Sequence, residues 1–152
     1  MIDAQLAAFL QEGLSIHIAT RTARMEPNGA RALAVKVEDV GRQVTVYIPT
    51  VAAPRVLPDL QTNGHAAVVF CRPTDDRACQ VKGIFVDSWA ATTEERFLVL
   101  AQWNGFLDKL GAIGIPRAAV AGWVNWPAVA TRLRVTALFN QTPGPDAGTA
   151  LQ

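Results

Sequence analysis

From residue 14 to residue 89 the chain is a succession of short β-type runs divided by Gly, Pro and Asp turns, with no long helical run between them. In Leu14 to Thr20, Leu14, Ile16 and Ile18 fall on one face and Ser15, His17 and Ala19 on the other, which is the period of a half-buried strand. Arg21 to Gly29, with Pro27-Asn28-Gly29, reads as a turn. Ala30 to Val40 and Gln43 to Ile48 form a hairpin around Gly41-Arg42, where glycine supplies the positive φ that a tight connection needs. Residues 54 to 61 read as one or two helical turns ending at Asn63-Gly64. Ala66 to Cys71 and Cys79 to Trp89 form a second hairpin, closed by the polar loop Arg72 to Arg77. Strands joined this way lie antiparallel, and the absence of alternating strands and helices excludes a doubly wound parallel sheet.

Helical spacing appears at two places. Ile2, Leu6, Phe9 and Leu10 predict a short amphipathic helix stopping at Gly13. Thr92-Thr93-Glu94-Glu95 has the form of a capping box, and Phe97, Leu100, Trp103, Phe106, Leu107 and Leu110 form an apolar stripe behind it, ending at Gly111. Ile115 to Pro127 is irregular; Val129 to Phe139 alternates again as a last strand with Arg132 and Arg134 outward; Gln141 to Gly148 is too rich in Gly and Pro for regular structure. The expected architecture is mainly β (α+β): an antiparallel six-stranded barrel with a short N-terminal helix and a longer one at about 92–110. It forms one domain over 1–152, with an irregular tail from about 140.

Composition narrows the function. Of the 152 residues 18% are charged and the formal net charge is +1, so nothing draws the chain toward nucleic acid. No stretch approaches the roughly 18 uninterrupted apolar residues of a membrane span, and the start carries Asp3 and Glu12 rather than a basic leader, so a cytoplasmic location is expected. Cys71 and Cys79 are the only cysteines; without a histidine cluster they cannot close a zinc site, and they read as small buried groups. There is no Gly-x-Ser-x-Gly elbow, no His-Glu-x-x-His and no Gly-rich strand-to-helix turn. His17 and His65 are the only histidines, and Asp75-Asp76 suits a turn better than acid–base work. A chain this poor in nucleophiles and bases is a binding module, or leaves the hard chemistry to a cofactor.

The cations say more. Arg31, Lys36, Arg55, Arg77 and Lys82 lie on or beside the strands and would suit a phosphate if brought to one face, although Arg31 and Lys36, an odd number of residues apart, point to opposite faces of an ideal strand. The ordered set Gly29 to Lys36, Val44 to Ile48, Pro54-Arg55-Val56, Asn63 and Arg77 to Gly83 resembles the pyridoxamine 5'-phosphate oxidase-like family of FMN-binding split barrels. That family carries an Arg-four residues-Lys strand, an aromatic-hydroxyl pair, a Ser-Arg-Lys turn, an Asn before the next strand and an Arg-Gln strand ending in Gly. The resemblance implies an FMN-binding split barrel working as a homodimer, with flavin contacts from Arg31, Lys36, Tyr47, Ile48 and Arg55. Departures are Ile48 for a hydroxyl residue, Pro54 and Val56 around Arg55, and Ala78 where a Gln is expected; Gln80, two residues on and on the same face, is the substitute, with Lys82 beyond it. The C-terminal Arg-x-His pattern of the vitamin enzymes is absent, so oxidation of pyridoxamine phosphate is not expected. The expected function is an FMN-dependent oxidoreductase, with Trp123 and Trp126 available to cover the flavin. The alternatives are a module that binds deazaflavin F420, a haem site using His17 or His65, and a cofactor-free sensor.

Overall fold

In the computed structural model, which describes residues 1–151, one antiparallel seven-stranded sheet curls around an apolar interior. The strands are β1 (Ser15–Arg21), β2 (Pro27–Ala32), β3 (Ala34–Glu38), β4 (Gln43–Pro49), β5 (His65–Cys71), β6 (Ala78–Ala90) and β7 (Ala128–Asn140), in the order β2-β1-β5-β6-β7-β4-β3. Seven strands replace the expected six because the run Ala30 to Val40 breaks at Leu33. Its first part reaches back to Pro27 and pairs with β1, while its second pairs with β4. One continuous segment thus supplies both edges of the sheet, and the Leu33 amide donates to the Tyr47 carbonyl at 2.8 Å across the seam. Pattern alone could not reveal the break, since Ala32, Leu33, Ala34 and Val35 are all buried and neither face is marked by a polar residue. Pro27-Asn28-Gly29 accordingly lies in the edge strand β2, where a missing N–H is tolerated. The β1–β2 turn is held instead by the Thr22 hydroxyl, which accepts from the Arg24 and Glu26 amides at 3.2 Å each.

The interior is filled by alternate residues of every strand, among them Ile16, Ile18, Val35, Val46, Ile48, Phe70 and Leu133. Helix α1 (Ala4–Leu10) closes one part of this core with Phe9 and Leu10, its N-terminus capped by Asp3 accepting from the Leu6 amide at 2.7 Å. Helix α2 (Leu57–Asn63) contributes Leu60 and ends at Gly64 in the left-handed region, as read from sequence. A 3₁₀ turn at Ala53–Arg55 precedes it.

Helix α3 (Thr93–Ala112) opens on the expected capping box and packs outside the barrel, over β3 and β4 and the start of β7. It buries Val99, Gln102, Trp103, Phe106 and Leu110, whereas Phe97, placed in the apolar stripe by its spacing, is 76% exposed. The chain between α1 and β1 crosses α3 so closely that a Cβ on Gly13 (φ +84°) would fall on the Gln102 carbonyl oxygen. Lys109 fixes this crossing by donating to the Glu12 carbonyl at 2.7 Å.

The tail is more ordered than its composition suggests. Beyond Asn140 the chain turns and lies back along β7, with Phe139 bridged to Ala150 and the Leu151 amide donating to the Leu138 carbonyl at 2.9 Å. Cys71 lies opposite Ala78, and Cys79 opposite Phe70, so the two thiols occupy opposite faces of the hairpin and both are free. Among the described residues no helix is long and apolar enough to cross a membrane.

Candidate functional site

Where β2 leaves the sheet edge, the outward face of Arg31, the end of β4 and the turn after it enclose an open cleft of about 430 Å³. Ala30, Arg31, Pro49, Ala52, Arg55 and Trp123 contribute to its wall. The volume is within the ~300–1,000 Å³ range of small-molecule sites. Arg31 reaches it because its neighbours Ala30 and Ala32 turn into the core, leaving the odd position outward and opposite His17. Arg55 reaches it because Ala53 and Val56 bury themselves on either side of the 3₁₀ turn.

Among the described residues neither arginine takes part in an ion pair. Arg31 makes one long hydrogen bond, to the Ser15 hydroxyl at 3.4 Å, and its guanidinium lies 4.6 Å from the Trp123 ring centroid and 5.5 Å from that of Phe106. Trp123 and Phe106 are near-parallel, 15° apart at 6.4 Å, and Trp103 stands tilted against both. An aromatic wall thus holds one guanidinium while Arg55, lining the same cleft, stays exposed. Cation–π contact of this kind contributes roughly 0.5–2 kcal/mol to the arginine's placement and leaves its N–H donors available to an anion.

The remaining sequence candidates fall elsewhere. Lys36 is also outward, because the break at Leu33 shifts the parity of the run, but it lies on β3 at the opposite edge of the sheet and pairs with Glu38 at 2.8 Å. Ile48 is fully buried in the barrel interior, so its side chain does not face the cleft. Tyr47 is fully buried beneath α3, where its hydroxyl donates to Glu95 at 3.0 Å; burial first, and then this carboxylate, push the phenol well above its ordinary pKa. Trp89 donates its indole N–H to the same carboxylate at 3.1 Å, so Tyr47 belongs to the anchoring of α3. Gln80 and Lys82 lie on the outward face of β6, with Lys82 4.9 Å from the Phe139 ring centroid, and neither lines the cleft. Trp126 packs against Arg96 of α3 rather than beside Trp123.

The cleft therefore gathers Arg31, Arg55 and Trp123 from the sequence-derived set, with Trp123 against Arg31. Trp123 stands near Trp126 in sequence, but only the fold shows that one indole meets the arginine and the other does not. Among the described residues no group of His, Cys, Asp and Glu is arranged to hold a metal ion.

No family model and no curated protein matches the sequence. Solved structures match the fold. HupZ of Group A Streptococcus superposes with a TM-score of 0.57 at 17% identity, covering 97% of this chain and 100% of that one. An F420 reductase gives 0.56 at 19% identity, over 86% of this chain and 93% of its own. A candidate pyridoxamine 5'-phosphate oxidase from Lactobacillus delbrueckii gives 0.54 at 12%, over 90% and 91%. At these identities the likeness is one of architecture.

Proposed function

We propose that this chain, which has the split-barrel fold shared with pyridoxamine 5'-phosphate oxidase-like proteins, binds FMN in the Arg31–Arg55 cleft and works as a flavin-dependent oxidoreductase. The observation that carries the reading is the pair of arginines without ion-pair partners facing one cleft beside an aromatic wall. A guanidinium presents a planar fork of donors to phosphate oxygens, and two lining one cleft suit a dianion. Arg55 is the phosphate ligand in this proposal, Arg31 shares the charge, and Trp123 offers a π-face to a planar ring. Bound FMN would supply the hydride and electron transfer that the side chains do not. The protein's part is to hold the phosphate, orient the ring and shield it from water. Lys36, Tyr47, Ile48, Gln80 and Lys82 have no place in this cleft within one chain. A homodimer, which the resemblance to flavin split barrels implies, remains part of the proposal and would appear as a solution mass about twice 16.3 kDa.

The test is a titration of apoprotein with FMN, read by flavin fluorescence and by quenching of Trp emission. Saturable one-to-one binding is expected, with Arg55→Ala weakening it by about 10- to 100-fold, the loss of one charge-assisted contact at roughly 1.5–3 kcal/mol. Affinity unchanged in Arg55→Ala overturns the site. An F420 reductase among the structures of like fold makes F420 the second ligand to titrate; binding of F420 but not FMN would keep the cleft and replace the cofactor.

A further inference from the structure

The outward positions of β1, β2, β5 and the first half of β6 form a sheet face with His17, Ala19, His65 and Lys82 exposed. This face carries Arg21, Arg31, His17, His65 and Lys82 and no carboxylate, although the chain holds 13 Asp and Glu against 14 Lys and Arg. One end of it is the Arg31 cleft. At the other end Arg21, His65 and Lys82 line a separate hollow of about 420 Å³, floored by Ala19 and Ala67 and edged by Thr136. Arg21 is four residues beyond His17 along β1, about 13 Å at the usual rise of a strand, so the two hollows are distinct.

Register explains why three cations meet there. Ala19 faces Ala67 and Ala67 faces Lys82, placing β1, β5 and β6 side by side with small residues between the charges. His65 is two residues before Ala67, and Arg21 two beyond Ala19, so both project from the same side at one end of the ladder. Asn63 ties those strand ends together. Its amide donates to the Arg21 carbonyl at 2.7 Å and accepts from the His65 amide at 3.2 Å. Among the described residues Arg21, His65 and Lys82 have no ion-pair partner.

We propose that the Arg21–His65–Lys82 hollow is a second anion site, built for a small phosphate monoester whose flat body lies on the Ala19–Ala67 floor. A planar guanidinium, an ammonium and an imidazole from three adjacent strands offer donors from three directions, which fits the tetrahedral oxygens of a phosphate better than a planar carboxylate. Small floor residues leave the sheet open to close approach by a ring. Asn63 is the positioning residue, since it sets the distance between the backbones that carry Arg21 and His65.

The two histidines make the test direct, because His17 stands beside the first site and His65 lines the second. The imidazole resonances of the protein are followed by NMR as inorganic phosphate, and separately phenyl phosphate, is added at constant ionic strength against chloride. His65 is expected to shift saturably, with phenyl phosphate binding about tenfold tighter than inorganic phosphate, the return on burying a few apolar CH groups. The double variant Arg21→Gln/Lys82→Gln, both outside the apolar core, is expected to lose at least about tenfold in affinity for either ligand. Arg55→Ala leaves the His65 response intact, so failure of the flavin site and failure of this one are distinguishable. A stationary His65 signal, or an unchanged affinity in the double variant, overturns the site; equal affinity for the two phosphates overturns the monoester assignment.

Discussion

His17 and Arg31 face each other across the β1–β2 ladder, and their proximity sets the electrostatics of the candidate cleft. Partial desolvation of its ring against the sheet, followed by the Arg31 charge, lowers the pKa of the exposed His17 below its ordinary value of 6.5. The folded chain therefore binds this proton less tightly than the unfolded chain does. Stability from this group is present above about pH 6.5 and is lost as the pH falls through the lowered folded-state value. Arg31→Gln is expected to raise the His17 titration midpoint while leaving it below 6.5, because the larger cause, partial desolvation of the ring, remains. An NMR titration of the two histidines reads this directly, and an unmoved His17 midpoint would show that the guanidinium does not act on it. At this scale two cations that the sequence singles out, Arg31 and Arg55, are brought by the fold to one cleft. The sequence was not legible where the motif position depends on which face of a strand is covered. Tyr47 and Ile48 sit on a strand buried on both sides, by the barrel interior and by α3, so alternation there gives no outward residue.

Strand β3 is an edge, and its outer backbone groups are covered by side chains instead of another strand. Gln102 of α3 accepts from the Val35 amide at 3.0 Å and donates to the Val35 carbonyl at 2.7 Å, while Gln11 accepts from the Val37 amide at 3.1 Å. A single amide side chain thus does what a paired residue would do, and the edge is closed to other chains. Gln102→Leu fills similar space but strands a buried N–H and C=O. It is expected to cost about 2–4 kcal/mol, from two unmet groups at roughly 1–2 each, read as a lower midpoint in urea. A loss below 0.5 kcal/mol would mean that water reaches Val35. This contact also explains a misreading of α3. A stripe drawn by apolar spacing includes Phe97 and omits Gln102, yet the helix turns its Gln102 face inward because the edge strand requires polar partners. The capping box, both hairpins and the Gly64 stop were readable because each is local chemistry. The break at Leu33 and the return of the tail along β7 depend on partners far away in the chain, and no local pattern encodes them.

On the scale of the molecule, the Arg31–Arg55 cleft joins three segments that are distant in sequence: β2, the turn after β4, and the chain around Trp123. The first belongs to the strand segment that supplies both edges of the sheet, and the last follows α3. A ligand held between them exists only where all three are in place, so it binds the folded state and not the unfolded chain. Mass action then fixes the size of the effect: at a free ligand concentration about 100 times Kd, stability rises by about 2.7 kcal/mol. For a chain of 152 residues this corresponds to a rise in Tm of about 5–10 °C. Thermal unfolding with and without excess FMN is expected to show this rise in the native sequence, and a much smaller one in Arg55→Ala at the same ligand concentration. Inorganic phosphate alone should give part of the rise, since it can use the arginines but not the Trp123 face. If FMN and phosphate at the same concentration shift the native protein and Arg55→Ala alike, the stabilisation comes from general anion screening, and the cleft between these segments is not a flavin site.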